Sequence, residues 1–332
     1  MPGTTLVGFS TNIEVTAIGY KNDPLMQKQQ LDVGVPGRGI HVIPAGSSFN
    51  LATVLHQAEQ PVKLLYAVGS DFWAAILDGV FRERCIDAFP LSVRSSTNIT
   101  ISLYPEGDAS HKVLAGKGEY VQEKKAGVIE IIRRQVQQVK PANVVGNGVQ
   151  LADAPLVLAM FQESTSLEKP SLTVLNPGAS LLRSNNGSEN ATRVDILTSL
   201  LGLTQLLVVN QEEMGFLLRG LGLQDISALK AQTQADVIVT NGPQGAILYN
   251  GTSKPIPVQA HEGVRVVDPT GAGDCFLGSF LVGRNLGKDL YGALEYAAAA
   301  ASLSIGMAGG SSVPNVNEVE EYLKVSLGQH CS

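Results

Sequence analysis

Apolar residues along this chain fall into two rhythms. Short, nearly continuous apolar runs alternate with stretches in which apolar positions recur every three or four residues. The first pattern fits strands buried on both faces, the second helices laid against a sheet. Strands are expected at residues 5–9, 40–43 and 62–68, and helices at 49–59 and 72–84. From residue 122 the alternation becomes regular. Strands fit 143–145, 172–175, 205–209, 236–240 and 246–249, and helices fit 125–139, 154–163, 193–201 and 212–218. Helices at 273–283, 290–306 and 317–326 close the chain.

That order predicts an α/β fold with a doubly wound, mainly parallel sheet covered on both faces. Two segments, 13–45 and 97–120, break the rhythm. The second carries strand-like runs at 99–104 and 112–115, joined by the turn-rich 105–110. Together they are expected to form a small β-sheet lid inserted into a single unit spanning 1–332. The polar stretch 183–192 (RSNNGSENAT) reads as a surface loop. The alanine-rich stretch 297–305 is too short to span a bilayer and reads as a closely packed helix.

Composition narrows the partners. With 44% hydrophobic and 16% charged residues, the 332-residue chain can bury a large core. Its net charge of -6 argues against a nucleic-acid surface, which needs a basic stripe. The three cysteines, Cys85, Cys275 and Cys331, form no CxxC pair, and the five histidines show no metal-ligand spacing. The opening residues MPGTTLVGFS have no basic stretch ahead of an apolar run, so a cytoplasmic location is expected. The sequons at Asn98, Asn186, Asn190 and Asn250 are then read as chance. No glycine fingerprint follows a strand, and Gly283–Asp289 falls one residue short of a phosphate loop, so neither nucleotide motif is present.

The strongest chemical signal is VVDPTGAGDCF, residues 266–276. An apolar, strand-like run ends at Asp268, a glycine-rich turn follows, and a helix opens near Gly273. Free N–H groups at a helix start bind anions, and in Asp274 the chain puts a carboxylate of its own where such an anion would sit. One use is as a base that takes a proton from a hydroxyl while neighbouring N–H groups hold a transferring phosphoryl group. The alternative is that Asp274 merely complements the helix dipole. Two further segments invite the same double reading. Asn210-Gln211-Glu212-Glu213 follows a strand and is either a cation site or a helix cap with an acidic first turn. Thr240-Asn241-Gly242-Pro243-Gln244-Gly245 is either a phosphate-side loop or a hairpin.

These segments resemble the ribokinase-like (PfkB) carbohydrate kinases. Asp268, Gly271, Ala272, Gly273 and Asp274 match that family's D-T-x-G-A-G-D signature, with Pro269 in place of the commoner Thr. Asn210 and Glu213 match N-x-x-E, and Thr240, Gly242 and Gly245 match T-x-G-x-x-G. Pro44 to Asn50 resembles P-G-G-S-x-x-N, with Ala45 for the first glycine and Gly46 and Asn50 in agreement. Val68-Gly69-Ser70-Asp71, Leu175-Asn176-Pro177 and Gly309 to Pro314 follow in family order. The likeness runs from Ser10 to Pro314, closest to ribokinases.

The resemblance implies an ATP-dependent sugar kinase, D-ribose leading, with Mg²⁺ required and K⁺ as activator. It makes Asp274 the base and Gly271, Ala272 and Gly273 the anion hole. It gives ATP contacts to Asn210, Thr240, Gly242, Gly245, Gly271 and Gly273. It places Mg²⁺ through water at Asn210 and Glu213, and a monovalent cation at Asp268 and the Thr270 carbonyl. Sugar contacts fall to Asn12, Glu14, Gly46, Asn50, Asp153 and Asp274. Here the pattern departs: Glu14 stands for the usual Asp, Ser47 for Lys, and Ala152 for a Glu that Asp153 could replace only with a shifted backbone. A fructokinase, a nucleoside kinase with Tyr104 or Tyr120 stacking a base, and an inactive sugar-binding relative are the competing readings. A homodimer through the lid strands is also expected, with no membrane and no nucleic-acid partner.

Overall fold

Neighbouring residues of one strand enter different cores in this molecule. The computed structural model describes residues 3–20, 40–105, 112–183, 189–251, 254–307 and 309–329. Its strands are β1 (Thr5–Phe9), β2 (Asn12–Tyr20), β3 (Ile40–Ala45), β4 (Val62–Val68), β5 (Asp87–Ser92), β6 (Ile99–Pro105) and β7 (Lys112–Gly116). There follow β8 (Asn143–Val149), β9 (Leu172–Pro177), β10 (Leu206–Asn210), β11 (Asp236–Thr240), β12 (Ala246–Tyr249) and β13 (Ile256–Val258). Helices are α1 (Ser47–Gln57), α2 (Phe72–Glu83), α3 (Gln122–Val139), α4 (Ala154–Thr165), α5 (Ala179–Leu182) and α6 (Glu189–Leu203). The rest are α7 (Gln211–Leu221), α8 (Ile226–Gln232), α9 (Ala272–Asn285), α10 (Leu290–Ser304) and α11 (Val316–Gln329).

Because side chains alternate along a strand, Leu6 and Val7 of β1 point to opposite faces, as do Leu64 and Leu65 of β4 and Leu207 and Val208 of β10. One core joins Val7, Leu64 and Val208 to Phe49 of α1, Phe280 of α9 and Ala297 of α10. The other joins Leu6, Leu65 and Leu207 to Ile132 of α3, Met160 of α4 and Leu197 of α6. Two apolar faces on each strand therefore require helices on both sides, which is why these runs are nearly unbroken. The alanines of α10 are buried against α9, as their small size suggested.

The large sheet runs β13-β12-β11-β10-β9-β8-β1-β4-β5. Every pairing from β5 to β11 is parallel; β12 and β13 are antiparallel. Pro90 and Pro257 lie in the two outermost strands, where a missing N–H breaks no ladder. A second sheet, β3-β2-β6-β7, is built from the two segments that broke the sequence rhythm. Only Ser10 and Thr11 separate β1 from β2, and Gly46 alone separates β3 from α1. The small sheet is thus rooted beside the ends of β1 and α1. Residues 21–39 and 106–111, parts of the expected lid segments, lie outside the described residues.

Two expectations change, and some elements escaped the pattern. The apolar run ending at Asp268 is not a strand: the N–H groups of Val267 and Asp268 both bond to the Ile305 carbonyl at the end of α10 (2.7 and 3.0 Å) rather than to a ladder. The polar stretch 183–192 is helical from Glu189, with 184–188 outside the described residues. β5 was hidden by its proline and polar ends. β13 and α8, three and seven residues long, are too short to show a period. Among the described residues no helix is long and apolar enough to cross a membrane.

Candidate active site

Parallel strands end on one edge, and the loops that leave this edge carry the candidate residues. α9 enters it through Gly271, whose φ of 77° is the left-handed region; a Cβ there would lie 2.2 Å from the Gly310 carbonyl oxygen. The turn is braced by Asp268, which accepts from Thr270 N–H (2.9 Å) and Gly309 N–H (3.1 Å). It thereby ties the loop before α9 to the loop before α11. The Ala272 N–H turns back to the Pro269 carbonyl at 3.3 Å, and Cys275 N–H bonds to the Gly271 carbonyl at 2.8 Å. Helix geometry leaves the N–H groups of Gly273 and Asp274 without an intrahelical acceptor. Of the expected anion hole, Ala272 is turned away to Pro269, while the N–H of Gly273 is left for an anion, with that of Asp274 beside it.

Asp274 is held by neutral donors. Asn50 of α1 donates from Nδ2 to Oδ2 at 2.8 Å, and Asn147 of β8 donates from Nδ2 to Oδ1 at 3.0 Å. The Ser47 hydroxyl is a third hydrogen-bond partner. Burial pushes the carboxyl up to about 6; the three hydrogen bonds oppose that rise, and the charge of Glu213 adds to it. Solvent reaches Asp274 only in part, through a cavity of about 220 Å³ lined also by Glu14, Gly46, Ser47, Asn50 and Ser311. The floor of this cavity depends on Gly46 (φ 102°), where a Cβ would sit 2.5 Å from the Ser10 carbonyl oxygen. That contact lets Ser48 N–H bond to Ser10 O at 3.0 Å and pins α1 to the root of the small sheet.

The other expected residues distribute unequally. Glu14 lines the cavity. Asn12 donates from Nδ2 to the Thr100 hydroxyl across β2 and β6, while its buried Oδ1 has no partner among the described residues. Asp153 is a correction. It is 2% exposed, pairs with Arg94 at 2.6 Å, accepts from the Tyr120 hydroxyl, and does not line the cavity. A carboxylate so engaged has its charge met by a buried guanidinium, so it is a strut between loops rather than a sugar ligand. Tyr120 is committed to the same cluster, and Tyr104 has no described side chain.

Asn210 and Glu213 form a reciprocal capping box on α7. Glu213 N–H bonds to Asn210 Oδ1 and Asn210 N–H to Glu213 Oε2, both at 2.8 Å. Burial raises the Glu213 carboxyl above its ordinary range, and Glu212 adds to the rise. Thr240 ends β11, and residues through Gly245 make a 3-10 turn and the antiparallel hairpin to β12. Both segments therefore have the local geometry of their simpler readings while standing at the strand-end edge. Ala299 and Ser302 of α10 are buried, and Ser302 accepts from His261 N–H at 3.1 Å. Among the described residues, no group of three or more His, Cys, Asp or Glu gathers as a metal cluster. Asn147 was not expected at all. The sequence carried a faint signal: an amide after the apolar run 144–145, in a strand that opens with a second amide, Asn143.

Comparison with known proteins gives the family and the fold. Residues 12–316 match the family described as pfkB family carbohydrate kinase. The ribokinase of Bacillus subtilis is 39% identical over 120 residues, 35% of this chain and 39% of that protein. The cytidine kinase of Thermococcus kodakarensis is 28% identical over 103 residues, 31% of this chain and 37% of that protein. The chain thus matches well under half the length of each. A crystal structure of a putative ribokinase II from E. coli, in complex with ATP and Mg²⁺, superposes with a TM-score of 0.76 at 19% identity, over 98% of this chain and all of that one. At that identity the superposition establishes the fold.

Proposed function

The chain belongs to the pfkB family of carbohydrate kinases, and from that premise we propose that it transfers the γ-phosphoryl group of ATP to a primary hydroxyl of a small neutral sugar, D-ribose first. The observation that carries the reading is the Asp274 carboxylate, oriented by Asn50, Asn147 and Ser47 at a small cavity beside the start of α9. With its pKa at about 6, this base is mostly ionised at pH 7 and still basic enough to take a proton in flight.

The cavity residues do the chemistry. A sugar hydroxyl placed against Asp274 gives its proton to the carboxylate as its oxygen attacks the γ-phosphorus. The bond to the β-phosphate oxygen breaks, and ADP carries away the electron pair. The N–H groups at the start of α9 receive the charge that spreads over the transferring group. Asp274 then returns its proton to solvent. Hard oxygen donors and a desolvated carboxylate suit Mg²⁺, which Asn210 and Glu213 would hold through water to neutralise the phosphates. Asp268 and the Thr270 carbonyl offer an oxygen-only set to a monovalent cation. Thr240, Gly242 and Gly245 border the ATP on the far side of this edge. The small sheet acts as the lid that excludes water, and its strands are the expected surface of a homodimer.

Lining chemistry favours a neutral sugar. The described lining presents the carboxylates of Glu14 and Asp274, amide and hydroxyl groups, no Lys or Arg, and no aromatic ring. Among the described residues, an acidic or phosphorylated sugar would meet like charge from this lining and a nucleobase would meet no ring in it. The second reading, a nucleoside kinase, is supported by the likeness to the cytidine kinase. The test is ADP release with Mg-ATP across neutral sugars, acidic sugars and nucleosides, with and without K⁺, for the wild type and Asp274→Asn. Turnover of ribose or another neutral sugar that disappears in Asp274→Asn is expected. A preference for nucleosides gives the second reading. Saturable sugar binding without turnover makes the protein a sugar binder, and full turnover in Asp274→Asn removes Asp274 as base.

A further inference from the structure

We infer that Asn147, which lies outside every motif matched above, is the positioning residue of the Asp274 carboxylate. The inference rests on the kinase reading for its consequence, but its geometry stands apart. Asn147 is fully buried near the end of β8, between Phe9 of β1 and Asn176 of β9 in the parallel register. Its single amide nitrogen makes two bonds: 2.7 Å to the Ser47 carbonyl and 3.0 Å to Asp274 Oδ1. It thereby ties the rigid centre of the sheet to the first turn of α1 and to the base. Asn50 holds the other carboxylate oxygen from α1. Two amides on the two oxygens fix the plane of the carboxylate and leave its remaining lone pairs for a substrate hydroxyl. A buried amide in a central strand is costly unless it is used, and here the Oδ1 of Asn147 has no partner among the described residues. The retained polar group is thus explained by what its nitrogen holds.

Position has an electrostatic side. Asn147 donates to the charged form of Asp274, so it opposes the rise that burial causes. Among the described residues, the ionisable groups near Asp274 are Glu14 across the cavity from β2, Glu213 from α7 and Cys275 beside it on α9; α1 and β8 bring Ser47, Asn50 and Asn147. Among the described residues none of these groups is a cation, and the bonds from Asn50, Asn147 and Ser47 are what oppose the rise that burial causes. Removing one of them moves the base to higher pH.

The experiment measures kcat/KM from pH 5 to 9 for wild type, Asn147→Leu and Asn147→Asp, alongside a titration of ¹³C-labelled aspartate carboxyls. The Asp274 resonance in that titration is the one missing from Asp274→Asn. Leucine fills the site without a donor; about one unit of upward shift in the acid limb is expected. That shift appears as a roughly fivefold loss at pH 6 and almost none at pH 8 from ionisation alone. Asn147→Asp sets a second carboxylate against the first and moves the limb further. A merely structural Asn147 lowers activity equally at every pH and leaves the ¹³C titration unmoved in both variants; that result overturns the inference. If the wild type turns over no panel substrate, the kinase reading fails, while the carboxyl titration still decides whether Asn147 positions Asp274.

Discussion

Asp274 and Asp153 are both aspartates at the start of helices that pack on the large sheet, and the sequence offered both as site residues. Their surroundings separate them. Asp274 meets only neutral donors, opens to a cavity and has a carboxyl pushed up to about 6. Asp153 is shut away against a buried guanidinium and a tyrosine hydroxyl, with Arg94 also bonded to the Gly118 carbonyl at 2.8 Å and stacked 4.3 Å from the Tyr120 ring. One carboxylate is spent on a buried ion pair away from the cavity; the other is steadied by amides at the cavity wall. Both stay put, but only one is placed to meet a substrate hydroxyl.

That contrast can be broken most sharply at Asp274. Asp274→Asn should lower kcat by about a thousandfold, within the range for loss of a general base, with the melting temperature preserved. A comparable loss of turnover without a stability change in an Asp153 variant would make the two residues equivalent and end the distinction. Instead Asp153→Ala should destabilise the fold by about 3–5 kcal/mol, because Arg94 is left buried and unpaired, and leave the KM for sugar within about twofold in the folded fraction. Chemical denaturation and steady-state kinetics on the same preparation check both halves. Replacing Arg94 and Asp153 together by apolar residues should recover much of that stability.

Glu213 tests whether a capping residue also serves the phosphates. Glu213→Gln keeps an oxygen for the Asn210 N–H and removes the charge. The Mg²⁺ concentration for half-maximal rate should rise about tenfold or more, while stability changes by less than about 1 kcal/mol. A drop in stability with unchanged Mg²⁺ dependence would leave Glu213 as a cap alone. The pH profile sharpens the comparison further. Asp274 acts as a base only when ionised, so kcat/KM should fall about tenfold per unit below pH 6 and level off above pH 7. Smallest of all, Tyr120→Phe should cost about 1 kcal/mol through its lost bond to Asp153, with no change in preference between sugars and nucleosides. A large change in nucleoside turnover would restore Tyr120 as a base-stacking residue.

The same contrast explains what could be read in advance. The alternation of β1, β4, β8, β10 and β11 with their helices was legible because burial on both faces demands unbroken apolar runs. The segment from Asp268 to Asp274 was legible because a tight turn before a helix start calls for glycine at Gly271, and the carboxylate of Asp274 stands where the free N–H groups would bind an anion. Asp153 was misread because a sequence gives the order of residues and not the distance between them; Arg94 and Tyr120 reach it from far along the chain. Asn147 was missed for the same reason: it lies beyond the expected strand 143–145, and its burial and its bond to Asp274 appear only in the fold. The supposed strand before Asp268 failed because apolar residues without a partner strand satisfy their N–H groups elsewhere, here at the end of α10.

By itself, then, the sequence determined the local matters: the period of each element, the left-handed turn at Gly271, the cap at Asn210 and the family to which these spacings belong. Tertiary structure alone decided which carboxylate opens to a cavity and which is closed into an ion pair. That decision depends on burial and on the charge of neighbours drawn from α1, β8 and distant loops, and such long-range proximity exists only once the sheet has closed around them.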